Sequence, residues 1–598
     1  MIYQQAGYTF DVKEDGTFTV YTPDQKLGFI ESAGKPFLPV TSRAVHWEDF
    51  RVEEGEDEGV PTITFNYGSN NLYDNPRTIF RLHKDYVEFL FKADRVKARM
   101  ALQKWYLLEA GSKINAIECL DFRSHIDSPL PYEVHQTILG RRKLGTVGLN
   151  ANSEDGDLMF APHPMLFIFR HLNYNLTIAP MSLVPAESVG VQMEKGETVI
   201  TDYSIRVGDN LYWLEEGEAL ESPHFMMVMT DGKTEYETLS VYTNLLVEEG
   251  IIAKKDYADA PDWWFSPMWC SWGDQHTDLD SGESIHRAAT GDIRKKVLDN
   301  IDERMVNNAV EMIEKHDLPI RTLILDDQWY TKQGDMYVDT QKFPDMRGLV
   351  DRLKARDYRV MAWTSLYQYD KSSEVFKKHP EWFILFNYGR NYHNKYDKDL
   401  VFIDYSNPEI VEAYLRELLT RLLSDEPGCY NFDGIKFDWP FLLPHDYPFA
   451  DRSWIGKEVT IYKTQKLIYD MAHEIKPDCL IMGVSPHPFF QDTQDLIRTY
   501  DITSFDPTIQ IERARYIQAI APGMVPCLDE HNYHKNFFRY LDEGIALGGI
   551  PMVYTLLYFN ADNHKYTDED YRQLKATLDR YVEKHPRVKK LLSQHIRT

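Results

Sequence analysis

Two rhythms of apolar and polar positions divide this chain near residue 245. Before that point, short runs alternate apolar and polar residues, as in Thr17-Phe-Thr-Val-Tyr21 and Thr62-Ile-Thr-Phe-Asn66, and Gly, Asp, Asn and Pro bound them. A period of two turns one face of a strand toward a core. Many such strands divided by turn residues predict an all-β sandwich over residues 1–245. Residues 234–250 read as a helix joining the two halves, and 246–265 as the linker.

From 266 to 598 the rhythm changes. Short, mainly apolar runs occur at 267–272, 322–325, 358–363, 434–437, 479–484, 496–500, 524–528 and 551–556. Longer amphipathic stretches separate many of them, among them 297–315, 408–423 and 511–520, and a closing helix is predicted over 566–593. Eight buried strands interleaved with helices predict a closed (β/α)8 barrel of the TIM type rather than an open sheet.

In such a barrel the chemistry sits at the C-terminal ends of the strands, and these runs end on polar or aromatic residues. The first gives Trp269 and Trp272, the second Asp326, Asp327 and Trp329, and the third Trp363. The fourth gives Lys436 and Asp438. The sixth gives Arg498 and Asp501, with Asp506 soon after, and the seventh Asp529, Glu530 and His531. Carboxylates and a lysine that bind hydroxyls, beside indole faces that stack on a ring, suit a pyranose. Lys436 and Asp438 lie two apart, so on a strand they share a face, where the ammonium favours the ionised carboxylate. The plainer alternatives are a structural ion pair at a strand end for Lys436 and Asp438, and helix capping for Asp326 and Asp327.

Composition narrows the partners. Of the 598 residues, 43% are hydrophobic and 27% charged, enough for a large core. A net charge of −27, from 66 basic and 93 acidic residues, argues against nucleic acid and anionic membrane surfaces. Five dispersed cysteines without a CxxC pair fit reduced thiols, not a disulfide frame or a zinc site. The first residues lack a basic and apolar leader pattern, and no apolar stretch reaches the ~18 residues of a membrane span. A cytoplasmic enzyme without cofactor or metal is the expectation. The stretch Asp529-Glu-His-Asn-Tyr-His534 has no recognised metal-ligand spacing, and His487 reads as a loop residue near the pocket.

Residues 260–560 resemble the α-galactosidase, α-N-acetylgalactosaminidase and raffinose-synthase clan of glycoside hydrolases. The resemblance rests on an ordered set: Met268-Trp-Cys-Ser-Trp272, Leu325-Asp-Asp-Gln-Trp329, Phe343-Pro-Asp-Met-Arg-Gly-Leu349, His379-Pro-Glu-Trp382, Ile403-Asp-Tyr-Ser-Asn-Pro-Glu409 and Ile435-Lys-Phe-Asp438. It implies a retaining double displacement on an α-linked oligosaccharide or glycoconjugate, with Asp438 as nucleophile. Asp326, Asp327 and Lys436 would hold sugar hydroxyls. The general acid/base falls on Asp501 in one register, Arg498-Thr-Tyr-Asp501, and on Asp506 in another, Asp506-Pro-Thr-Ile-Gln-Ile-Glu-Arg513; the first is preferred because Asp501 sits at the strand end. A departure lies after the fifth strand, where Gly483-Val-Ser-Pro-His-Pro488 replaces the Cys-x-x-Gly-Gly turn of bacterial α-galactosidases and leaves the choice of sugar open. The resemblance also allows a homo-oligomer, a raffinose-synthase-type transglycosylase, or a carbohydrate-binding protein without catalysis.

Overall fold

A computed structural model describes the chain except for residues 48–49, 122–132, 137–164, 187, 194–197, 208–211, 279–282, 285–299, 385–399, 441–442, 445–446, 448, 500–507, 530–532, 560–561, 563 and 596–598. The first half is built from antiparallel sheets, as the alternation predicts. The strand Arg77–Leu82 alternates buried and half-buried residues along its length. It belongs to a ten-stranded sheet running from Glu133–Gln136 to Arg51–Asp57, which is joined by two five-stranded sheets and a two-stranded one, Tyr73–Asp74 with Arg95–Val96. Aromatic rings close the space between sheets: Phe10 lies 5.3 Å from Phe80, Phe18 6.3 Å from Phe65, and Phe167 5.9 Å from Tyr203. These ring pairs join residues of different sheets, the face-to-face packing of a sandwich.

The second half is a closed barrel of eight parallel strands. They are β1 (Met268–Cys270), β2 (Thr322–Leu325), β3 (Arg359–Thr364), β4 (Gly434–Phe437), β5 (Leu480–Gly483), β6 (Leu496–Arg498), β7 (Pro526–Leu528) and β8 (Ile550–Val553). All four residues of β2, β4, β5 and β8 are buried. Helices cover the outside and side chains fill the inside, which is why these strands read as continuous apolar runs. The strands are shorter than the apolar runs at several ends. The closing helix is two helices, Asp568–Lys584 and Pro586–His595. Pro586 has no N–H to give to the preceding turn and its ring excludes a continuous helix there.

The halves meet over a broad apolar and polar seam. Helix α1 (Glu235–Glu248) opens on a capping box between Thr234 and Glu237. It buries Leu239, Tyr242 and Leu246 in one cluster with Met226 and Val228 of the sandwich and Tyr516, Ile517 and Ile520 of the barrel helix α3 (Thr508–Ile520). Each such side chain contributes roughly 1.5–3 kcal/mol by leaving water. The Tyr242 hydroxyl donates to Pro180 O at 2.7 Å, and the Thr243 hydroxyl to Ala519 O at 2.9 Å.

A second seam lies at the start of α2 (Lys457–Ile475), the helix that follows β4. Gly456 precedes it at φ +111°, and an added Cβ would stand 2.7 Å from backbone atoms of Pro185 and Ala186. Glu458 is fully buried and accepts from Met165 N at 3.2 Å, Val184 N at 3.0 Å and His487 Nε2 at 3.1 Å. His487, buried on the loop after β5, is thus bound to the residue that clamps barrel to sandwich. Replacing Glu458 by Ala strands two buried N–H groups and a buried imidazole. It is expected to cost on the order of 3–5 kcal/mol, read as a lower urea midpoint; a variant that unfolds at the wild-type midpoint would refute this role.

Candidate active site

The strand geometry brings the carboxylates of β2 and β4 to one end of the barrel. Asp326 directly follows β2, and Lys436 and Asp438 occupy the end of β4 with Phe437 between them. Register sets Trp363 of β3 beside Lys436. The Asp326–Asp327 turn is held from β1: Ser271 Oγ accepts from Asp326 N at 2.9 Å, and Gln275 Nε2 donates to Asp327 O at 2.9 Å.

Lys436 Nζ bonds Asp326 Oδ2 at 2.6 Å, with both side chains 3% exposed. The expected partner of Lys436 was Asp438. The structure gives Lys436 to Asp326, and gives Asp438 to Arg498 of β6, whose Nη2 lies 2.8 Å from Asp438 Oδ1. Trp439 N also donates to that oxygen at 3.0 Å, and Trp363 Nε1 donates to Asp438 Oδ2 at 3.0 Å. The Tyr367 hydroxyl donates to the Asp438 carbonyl. Arg498 is fully buried and its Nη1 pairs with Asp529 Oδ2 at 2.9 Å. The Tyr554 hydroxyl donates to Asp529 Oδ1, and the Lys436 ammonium lies 5.2 Å from the Tyr554 ring centroid. Cys270 Sγ stands 2.9 Å from Asp326 Oδ2 and 3.8 Å from Lys436 Nζ.

Electrostatics follow from this arrangement. Burial alone would raise the Asp438 carboxyl, but the charges of Arg498 and Lys436 and the bonds from Trp363 and Arg498 outweigh it and hold the group below the usual carboxylate range. Burial would likewise lower the Lys436 ammonium, and the Asp326 charge more than reverses that, so the lysine stays protonated. Asp327 differs. Burial pushes its carboxyl up to about 6, against the opposing bonds from Tyr330 and Gln328. It is therefore poised between charged and neutral near physiological pH.

The indoles divide. Trp363 touches Asp438 directly and lies edge-on to Trp439, with centroids 5.4 Å apart. Trp272 is half-buried against His276. Trp269 is fully buried, its Nε1 given to Asp274 Oδ2 at 2.9 Å. Asp274 also accepts from Thr555 Oγ1, Leu556 N and Leu557 N, so this pair braces β1 to the segment after β8. Trp329 is fully buried too, its Nε1 donating to Trp363 O at 3.1 Å and its ring packed on Phe432. Neither Trp269 nor Trp329 offers a face to solvent. Asp501 and Asp506 lie outside the described residues, as do Glu530 and His531.

Three contributors escaped the sequence reading, Tyr554, Tyr330 and Cys270; Asp529 was read at the end of the seventh run, but not its pairing with Arg498. Asp529 carried a usable signal, since it follows β7 as Asp326 follows β2 and Asp438 follows β4. Among the described residues no helix is long and apolar enough to cross a membrane.

Three comparisons bear on this geometry. The TIM-barrel domain model of glycosyl hydrolases family 31 matches residues 289–470. An A type blood α-D-galactosamine galactosaminidase of Flavonifractor plautii is 23% identical over 317 residues, covering 50% of this chain and 26% of the relative, so the chain spans about a quarter of that curated protein's length. The GH36 α-galactosidase AgaA of Geobacillus stearothermophilus shares the fold at a TM-score of 0.59 and 12% identity, over 98% of this chain and 86% of AgaA. The α-galactosidase of Lactobacillus brevis does so at 0.57 and 12% identity, over 98% and 83%. The barrel sequence thus resembles the TIM-barrel domain of glycosyl hydrolases family 31, and the fold is that of the GH36 α-galactosidases.

The elevated Asp327 carboxyl yields a signed prediction. Its folded value, about 6, lies above the unfolded value of about 3.9. The folded protein therefore binds this proton more tightly. The resulting stability is complete below pH ~4 and is lost as pH rises through about 6. Asp327→Asn, which keeps the neutral form at all pH, should gain on the order of 2–3 kcal/mol relative to wild type between pH ~4 and ~7. Paired urea titrations across that range would show it, and a difference independent of pH would contradict it.

Proposed function

We propose that the protein is a retaining α-glycoside hydrolase of the α-galactosidase type, acting on an α-linked oligosaccharide or glycoconjugate. The observation that carries this reading is the Asp438 carboxylate at the end of β4, buried yet held ionised by Arg498. A nucleophile that must attack an anomeric carbon needs that state in a site that excludes water. In the first step an Asp438 oxygen bonds the anomeric carbon as the glycosidic C–O bond breaks, and the departing oxygen takes a proton from the acid. In the second, water attacks that carbon, gives its proton to the same group now acting as base, and frees Asp438. Asp501, or in the alternative register Asp506, fills that acid/base role.

Three buried carboxylates, Asp326, Asp438 and Asp529, face two buried cations, Lys436 and Arg498. The surplus negative charge suits an oxocarbenium-like transition state, which is positive. In this reading Asp326 and Lys436 accept from and donate to ring hydroxyls, with Asp327 beside them. AgaA variants form complexes with raffinose and stachyose, both α-galactosides. The F. plautii relative is a galactosaminidase, so α-galactosaminides and α-N-acetylgalactosaminides stand as the second sugar class. Four free cysteines among the described residues fit a reducing compartment, and cytoplasmic residence is part of the proposal.

The test is a screen of aryl α-galactoside, α-N-acetylgalactosaminide, α-galactosaminide, α-glucoside and α-xyloside. One sugar should be hydrolysed with retention, and Asp438→Asn should lower kcat on the order of 10⁴-fold or more with folding intact. Appreciable hydrolysis by that variant would remove Asp438 from its role. Asp501→Ala should spare aryl substrates with good leaving groups in the first step and slow poor ones; if Asp506→Ala shows that split instead, the acid belongs there.

A further inference from the structure

A separate cluster lies on the same rim of the barrel, beyond β7 and β8. Helix α4 (His534–Ala546) starts shortly after Asp529. After β8 comes a short hairpin, Tyr558–Phe559 with His564–Lys565, and then α5 (Asp568–Lys584). One side chain from each segment meets the others. His534 Nε2 lies 2.6 Å from Asp570 Oδ1, and His564 Nε2 lies 2.9 Å from Asp570 Oδ2. The two imidazoles are stacked, with centroids 3.6 Å apart and planes 11° from parallel. One donor atom from each of the three residues falls within 4.8 Å of the others, and among the described residues this is the one His, Cys, Asp and Glu set that converges so.

Each imidazole meets its own oxygen of one carboxylate, and the two Nε2 atoms are thereby held on the same side of the cluster. Two nitrogens and an oxygen around an ion with bonds of about 2.0–2.2 Å must converge, at mutual spacings of about 3.4 Å. His534 Nε2 and Asp570 Oδ1, now 2.6 Å apart, would part by about 0.8 Å, and the stacked rings would tilt so that both lone pairs meet the ion. Asp570 is also preset. Thr567 N and Thr567 Oγ1 hold Oδ2 at 2.8 and 2.7 Å, the capping box of α5, and this leaves Oδ1 to serve as ligand. A second carboxylate is close by in the chain. Asp562 accepts weakly from Lys535 N at 3.4 Å through Oδ2, while its buried Oδ1 has no hydrogen-bond partner among the described residues. A buried carboxylate oxygen without a partner among the described residues, two positions before His564 in the chain, calls for an ion or an ordered water.

We propose that His534, His564 and Asp570 form a binding site for one divalent transition-metal ion of the zinc type, which ties the segment after β7 to the segment after β8. Two imidazoles with one carboxylate favour a borderline ion over calcium or magnesium, which prefer all-oxygen shells. On binding, each imidazole offers an Nε2 lone pair, so a proton now on Nε2 moves to Nδ1 or to solvent. The metal takes no part in the proposed hydrolysis. Its role is to hold two segments of the rim that carries Asp529.

The test uses the full chain stripped with a chelator and titrated with Zn²⁺ against a chromophoric competitor, and with Co²⁺ to report ligand geometry. One Zn²⁺ per chain is expected, with Co²⁺ giving the visible bands of a low-coordinate nitrogen–oxygen site. His564→Ala and His564→Gln should each weaken Zn²⁺ at least about 100-fold. Zn²⁺ should raise the melting temperature of wild type and leave both variants unmoved. The metal-free variants should keep the wild-type circular dichroism, because His564 lies on a surface hairpin. Asp570 is left intact because it also caps α5. Less than stoichiometric Zn²⁺, or equal affinity in wild type and both variants, would overturn the site. These readouts need no sugar substrate, so their failure is distinct from failure of the proposed activity.

Discussion

The barrel's end is governed by the need to bury charge in matched sets. Asp326, Lys436, Asp438, Arg498 and Asp529 are all nearly inaccessible to water. An isolated ion in such a place would neutralise or unfold the site, because its lost hydration costs several kcal/mol. Each anion therefore has its cation in direct contact: Asp326 has Lys436, while Asp438 and Asp529 share Arg498. The indole of Trp363 and the phenol of Tyr554 occupy remaining carboxylate lone pairs. Strand order, register and the aromatic lining can be read as what it takes to keep these charges paired and aimed. The pairing also fixes protonation, since Asp438 is kept charged by its neighbours while burial moves Asp327, which has no ion pair among the described residues, toward neutrality.

Much of this was legible along the chain because burial on both faces leaves a plain signature. A short apolar run that ends on Asp or Lys reads as a buried strand with a polar end, and eight apolar runs interleaved with helices read as a barrel. The eight runs were found for that reason. The shared face of Lys436 and Asp438 followed from the two-residue repeat alone. Which charge meets which did not follow, because it depends on closure of the barrel. Lys436 reaches across β3 to Asp326, and Arg498 reaches back from β6 to Asp438. Sequence spacing carries no information about contacts made through the middle of a closed ring of strands.

The aromatic residues show a different limit. Trp269, Trp329 and Trp363 looked alike as strand-end indoles, yet only Trp363 gives its N–H to Asp438. The other two serve Asp274 and a backbone carbonyl. An indole is both a large apolar body and a single donor, and sequence does not say which use prevails. The bond from His487 to Glu458 was not legible for a related reason, since Glu458 and its other donors, Met165 and Val184, lie far apart in the chain. The split of the closing helix at Pro586 was available from the sequence and reflects proline chemistry overlooked beside a strong amphipathic pattern.

The Glu458 clamp bears on how such a protein can be divided and inherited. Its carboxylate belongs to the barrel, but two of its hydrogen-bond donors are backbone N–H groups from the sandwich half. A gene fragment encoding only the barrel would carry a buried anion deprived of both, together with the bare α3 face that Leu239, Tyr242 and Leu246 now cover. The two halves are consequently one unit of selection. Recombination that exchanged the sandwich for an unrelated β-domain would have to restore those two donors, and a backbone turn tight enough to meet Gly456, before the strand bearing Asp438 could settle.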